Sequence, residues 1–318
     1  MRKLTMKKIV SVVIPAYNEE GNIVELERQL KDVFTKKPEF DFEVLFVENG
    51  STDSTFQKML QVHSNDKRFK IIQLSRNFRM DGGITAGLAF AQGDAVIIMT
   101  ANLQDKPSTL IEFLNKWEIG YENVYGIVKK RPGKSIFRRF NSWMFYKILR
   151  FMTGNMIPEN VSDFRLIDKK VLLTINSMEE RNRFIRGMIA WTGFRSIGVE
   201  YERAPRFSGN SHAHFFKVLQ LAIRGVFAFS YFPIKLITFT GFFVSGMSFI
   251  FLSYSILKAL FFGVPFAGYG TIISIMSFMF GLLFLLIGVL GQYIAQIYEE
   301  VKRRPNFIVS RFLGSMGE

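Results

Sequence analysis

Ile9-Val10-Ser11-Val12-Val13-Ile14-Pro15-Ala16-Tyr17-Asn18-Glu19-Glu20 decides the fold. A run rich in β-branched apolar residues stops at a proline and an acidic, amide-bearing turn, as a strand buried on both faces does. Similar runs recur at 42–47, 69–74 and 95–99, and residues 18–34, 54–63, 81–91 and 108–117 between them have amphipathic helical spacing. Ser54 and Gln57 are placed as a capping box for the second of these helices. Strand alternating with helix predicts a Rossmann-like α/β domain whose ligand lies beyond the carboxyl ends of the strands. The segments to watch are therefore 15–20, 48–53, 75–81 and 100–105.

Towards the other end, residues 236–257 and 259–298 carry no charge and are broken by the turn-like Gly263-Val264-Pro265-Phe266-Ala267-Gly268. A bilayer core about 30 Å thick takes about 20 residues of helix, so this reads as a hairpin crossing a membrane twice. Its expected spans are 234–262 and 268–298. Arg224 and Lys235 precede the hairpin, Lys302, Arg303 and Arg304 follow it, and the connection holds no cation. By the positive-inside rule both termini and the N-terminal domain face the cytoplasm, which predicts a multi-pass protein of the plasma (inner) membrane. Met1-Arg2-Lys3 imitates a signal peptide, but the apolar run before Pro15 is too short for export.

The 318 residues are 48% hydrophobic, which excludes a disordered chain, and the absence of Cys excludes disulfide scaffolds, thiolate metal sites and Cys nucleophiles. The net charge of +14 lies mostly ahead of the apolar stretches. Residues 123–158 contain Lys129, Lys130, Arg131, Lys134, Arg138, Arg139, Lys147 and Arg150 and no acid. Within them, residues 135–152 carry an apolar stripe beside Trp143 and Tyr146, the make-up of an interfacial helix on an anionic leaflet. A second amphipathic helix is expected at 214–233. With a membrane hairpin in the same chain, the polyanion expected to meet these cations is the lipid surface, and no nucleic acid is expected.

Val12-Val13-Ile14-Pro15-Ala16-Tyr17-Asn18-Glu19-Glu20, Val47-Glu48-Asn49-Gly50-Ser51-Thr52-Asp53 and Leu74-Ser75-Arg76-Asn77-Phe78 resemble the nucleotide-sugar half of an inverting GT-A glycosyltransferase. Ser162-Asp163-Phe164-Arg165-Leu166, Arg183-Phe184-Ile185-Arg186-Gly187, the two apolar stretches and Tyr298-Glu299-Glu300-Val301-Lys302 extend the likeness to the family 2 polyprenyl-phosphate glycosyltransferases, relatives of dolichol-phosphate mannose synthase. The resemblance implies a cytoplasmic GT-A domain over 1–213, the membrane segments above, and a cytoplasmic tail over 299–318. It also implies a nucleotide-sugar donor, a UDP-sugar foremost, a polyprenyl (undecaprenyl) phosphate acceptor and, by analogy, a homo-oligomer. The product would be a lipid-linked monosaccharide for cell-envelope glycans.

Carried over residue by residue, the likeness gives Pro15, Tyr17, Glu19, Asn49, Ser51, Arg76, Asn102 and Gln104 to the nucleotide-sugar and Asp163 to catalysis. Arg165 and Arg206 fall to the diphosphate or the lipid phosphate, because a guanidinium presents a planar fork to phosphate oxygens, and His212 stands where relatives carry a Lys that meets phosphate. Two departures matter. Where the family has Asp-x-Asp-Leu-Gln-Asp to bring Mg²⁺ or Mn²⁺ to the donor, this chain reads Thr100-Ala101-Asn102-Leu103-Gln104-Asp105. Asn102 and Gln104 then offer only neutral amide oxygens, so metal binding is expected to be weak or lost. The family's acid ahead of Gly-Ser is Asn49, which relaxes the preference for the base or shifts it from uracil towards cytosine. A degenerate, non-catalytic membrane scaffold or lipid-phosphate binder is the alternative reading.

Overall fold

The computed structural model describes residues 7–129, 161–204, 232–262 and 268–314. The amphipathic helix expected at 135–152 and all but the last two residues of the one expected at 214–233, with Arg206 and His212, lie outside the described residues. The chain forms two units, one of Met1–Leu219 with Arg304–Glu318, the other of Gln220–Arg303.

The first unit begins with β1 (Lys8–Ala16), α1 (Ile23–Lys36), β2 (Phe40–Glu48), α2 (Thr55–Asn65), β3 (Phe69–Leu74), α3 (Arg79–Phe90) and β4 (Ala95–Ile98). A 3-10 turn at Pro107–Thr109 leads into α4 (Leu110–Glu118), then β5 (Asn123–Val128), β6 (Val161–Asp168), α5 (Lys169–Ser177), α6 (Ile185–Trp191) and β7 (Ser196–Tyr201). The last strand, β8 (Val309–Leu313), follows the helical unit. The sheet runs β7-β5-β6-β4-β1-β2-β3-β8. β3, β2, β1 and β4 are parallel, whereas β6 joins β4, and β8 joins β3, in the antiparallel sense.

Alternation along β1 explains the layers. Val10, Val12 and Ile14 enter one buried cluster with Ile23, Leu26 and Leu30 of α1. Val13 points the other way, towards α3, where a Cβ on Gly87 would come within 2.1 Å of its Cγ1. Only a glycine lets that helix lie so close to the strand.

The four expected strands are all present, and the helices differ at their starts. α1 begins at Ile23 because Asn18 takes a left-handed φ of 54° and the following turn belongs to a loop. The capping box is corrected: Ser54 makes no side-chain cap bond. Instead Asp53 Oδ1 accepts from the Thr55 backbone N–H at 3.0 Å, and Glu20 Oε2 accepts from the Ser54 N–H at 2.9 Å.

The second unit is two long helices, α7 (Phe232–Phe262) and α8 (Tyr269–Lys302). Among the described residues, the stretch Phe278–Lys302, with mean hydropathy 2.1, is long and apolar enough to cross a membrane, and α7 holds a shorter apolar stretch, Leu236–Phe251.

Candidate functional site

The strand order locates the crevice. From β1 the chain winds outward through β2 to β3, then crosses back to place β4 on the other side of β1. Connections therefore diverge beyond the carboxyl ends of β1 and β4, the topological switch point at which open α/β sheets bind ligands. The loops around that point carry most of the expected site residues.

The loops after β1 and β2 are laced together. Asn18 N–H donates to Ser51 Oγ at 3.1 Å, Thr52 N–H donates to Asn18 Oδ1 at 2.9 Å, and Glu19 N–H donates to Thr55 Oγ1 at 2.8 Å. The Glu19 carboxylate accepts from the Asn22 amide. Tyr17 stands exposed at the rim, whereas Pro15 is buried, close enough to α3 that a Cβ on Gly83 would lie 2.9 Å from its own. Asn49 is also buried, with its amide already committed. Its Oδ1 accepts from Phe78 N–H and its Nδ2 donates to the Arg79 carbonyl, both at 2.9 Å. Asn49 thus ties the β2 loop to the β3 loop. Arg76, on that second loop, is exposed with its guanidinium 4.1 Å from the centre of the Phe78 ring.

The β4 loop closes on itself. Thr100 Oγ1 donates to Asn102 Oδ1 at 3.0 Å, which also accepts from Gln104 N–H at 3.0 Å. Asp105 is fully buried. Its Oδ1 accepts from the Tyr201 hydroxyl at 2.5 Å and from Arg203 Nε at 2.9 Å, and its Oδ2 from Arg203 Nη2 at 3.2 Å. Burial, reinforced by the adjacent Asp105 carboxylate, pushes the Tyr201 phenol up, so it stays a donor. The single carboxylate of the loop is therefore bound within the protein, and Thr100, Asn102 and Gln104 add no charge. This donor set offers a hard divalent cation neutral amide oxygens and no carboxylate that is not already paired, so it fits one poorly. Among the described residues no group of three or more His, Asp or Glu side chains is placed to hold a metal.

Asp163, on β6, pairs with Arg186 of α6 at 2.9 Å. Burial acts to raise the Asp163 pKa, but Arg186, Arg165 and Arg203 outweigh it and hold the carboxyl below its ordinary value. Arg165 is buried, donates to the Ser162 carbonyl at 3.1 Å, and is pushed down to about 10 by burial and by Arg186, against the pull of Asp163. Asp163 and Arg165 lie on one strand and interact electrostatically. Arg186 and Tyr201 were not singled out beforehand. Arg186 stood inside a segment that carried the resemblance, whereas Tyr201 gave no local signal.

The family model for glycosyl transferase family 2 matches residues 11–175. An uncharacterized glycosyltransferase of Synechocystis is 38% identical over 305 residues, covering 96% of each chain. A bactoprenol glucosyl transferase of Shigella phage SfII is 34% identical over 302 residues, covering 95% of this chain and 97% of that one. Among solved structures, glucosyl-3-phosphoglycerate synthase from Mycobacterium tuberculosis, in complex with Mn²⁺, uridine diphosphate and phosphoglyceric acid, superposes with a TM-score of 0.50. It is 14% identical, with 69% of this chain and 76% of that one covered, a likeness of fold.

Proposed function

The chain belongs to glycosyl transferase family 2, and on that premise we propose that it transfers one sugar, with inversion, from a nucleotide-sugar to polyprenyl phosphate at the membrane surface. The observation that carries this reading is the charge at the crevice: three arginines, Arg165, Arg186 and Arg203, interact with one carboxylate, Asp163. Such a cluster suits two phosphate-bearing substrates. The bactoprenol glucosyl transferases, related over nearly their whole length, point to the lipid as acceptor.

The acceptor phosphate oxygen attacks the anomeric carbon while the bond to the diphosphate breaks, and the nucleoside diphosphate leaves with the electron pair. A phosphate monoester, with a second pKa near 6, is already largely dianionic at neutral pH. The carboxylate therefore positions more than it deprotonates. Asp163 holds Arg186 in place, and Tyr17, Ser51 and Arg76 border the donor pocket. No step runs through a divalent cation, since the β4 loop fits one poorly.

Chain connectivity supports the membrane hairpin. The polypeptide leaves the α/β unit ahead of α7 and rejoins it at Arg304, and β8 then pairs with β3. A single crossing would put β8 on the opposite side of the bilayer from β3, which favours a pair of crossings over one. Exposed phenyl rings on both, Phe242 and Phe262 on α7 and Phe278 and Phe284 on α8, suit lipid contact. The α/β unit and both ends then lie on the cytoplasmic side of the inner membrane.

The test is incubation of the purified protein with undecaprenyl phosphate and labelled UDP-, GDP- and CDP-sugars, followed by solvent extraction. Label in the organic phase is expected. Its absence with every donor would overturn the reading and favour a non-catalytic lipid-phosphate binder, to which the neutral Thr100 and Asn102 also point.

A further inference from the structure

We propose that Arg203, clamped on Asp105, stands in for a divalent cation opposite the donor diphosphate, so that this chain binds its donor and transfers the sugar without metal. The inference rests on the nucleotide-sugar reading above and adds to it the group that meets the leaving charge. As the anomeric bond breaks, the electron pair stays on the diphosphate oxygen, and the leaving group gains one negative charge. That charge must meet a fixed cation nearby. A guanidinium supplies one while keeping its own protons, so no further reactant is needed.

Three observations converge on Arg203. The first is the commitment of Asp105, whose carboxylate accepts from Tyr201 and from two nitrogens of Arg203. A metal could claim this carboxylate only by breaking a buried charge-assisted pair, which is costly because the orphaned charge stays in low dielectric. The second is placement. Ala204 N–H donates to the Gln104 carbonyl at 3.0 Å, so the segment after β7 is fastened to the β4 loop at the switch point. Arg203 donates Nε and Nη2 to Asp105, and its side chain remains 35% exposed. The third is local charge. Among the described residues, Asp105 is paired with Arg203 and Asp163 with Arg186, and Arg165 adds a further positive charge to the cluster. That field attracts a diphosphate and repels a divalent cation.

Titration calorimetry on the full-length protein in detergent, with UDP, GDP and CDP as probes, tests the inference in EDTA and again in Mg²⁺ or Mn²⁺. The expected result is nucleotide binding in EDTA, changed less than about threefold by either metal. Binding that appears only with metal, or tightens tenfold or more, overturns the inference and leaves the donor reading standing. Failure of all three nucleotides under every condition overturns both. Because Arg203→Gln alone would orphan a buried carboxylate, the variant to use is Asp105→Asn/Arg203→Gln, which removes both charges together. It should bind the diphosphate at least about tenfold more weakly, bind the bare nucleoside as before, and not be rescued by Mn²⁺. Unchanged diphosphate affinity, or rescue by Mn²⁺, overturns the role given to Arg203.

Discussion

Asp163 and Arg186 meet at 2.9 Å, joining the strand that flanks the crevice to a short helix packed beside it. The pair fixes one cation of the arginine cluster that is proposed to meet the phosphate-bearing substrates. Replacing Asp163 by Asn leaves a side chain of the same shape that no longer holds Arg186 by charge. Turnover should fall by about a hundredfold or more, read as the initial rate of lipid-linked sugar formation. Full turnover in this variant would remove Asp163 from the mechanism.

The same pair makes stability depend on acid. The Asp163 pKa lies below its unfolded value, so its contribution is present above about 3.9 and is lost as pH falls through the folded value. Urea denaturation at neutral pH should find Asp163→Asn less stable than the parent. Near pH 3 the two curves should draw together. A gap that widens on acidification would contradict the assigned direction.

Tyr201 donates to a carboxylate that has no access to water. Loss of its hydroxyl in Tyr201→Phe leaves a lone pair of Asp105 unsatisfied and should cost about 1–3 kcal/mol. Chemical denaturation measures it, and a change within a few tenths would mean that the loop had found another donor.

Gly50 carries a positive φ of 70°, and a Cβ there would stand 2.7 Å from the backbone carbon of Arg76. Gly50→Ala therefore combines left-handed strain of about 1–2 kcal/mol with a backbone clash. The expected outcome is a loss of stability above that figure, together with weaker nucleotide binding as the β2 and β3 loops are forced apart. Equal stability would show that the two loops separate freely.

How far the sequence could be read follows the range of the forces involved. β1 to β4 were legible because each is a short apolar run whose burial on both faces leaves no period to confuse. α1 was misplaced at its start because Asn18 and Glu19 are compatible with a helical turn, and what keeps them out of one is hydrogen bonding to the loop at 51–55. The partnership of Asp105 with Arg203 joins positions 98 apart, and nothing local announces it. Asn49 was read as a contact to the base because its neighbours resemble a donor motif, and only the fold shows its amide holding the Phe78–Arg79 backbone. β8 was hidden for the same reason. Val309-Ser310-Arg311-Phe312-Leu313 is short and mixed in polarity, and Ser310 meets Gln73 across 237 positions.

That distant pairing also sets an order of assembly. A ribosome delivers β3 long before β8, with both long helices in between. Until residues 309–313 emerge, the outer edge of β3 is an open row of backbone donors and acceptors, the kind of edge that invites pairing with another chain. The nascent α/β unit must therefore wait, incomplete, while the helices find their place. Closure of its sheet then reports that the helical segment has been made and its end brought home, so a fault in the helices would surface as aggregation of the α/β unit.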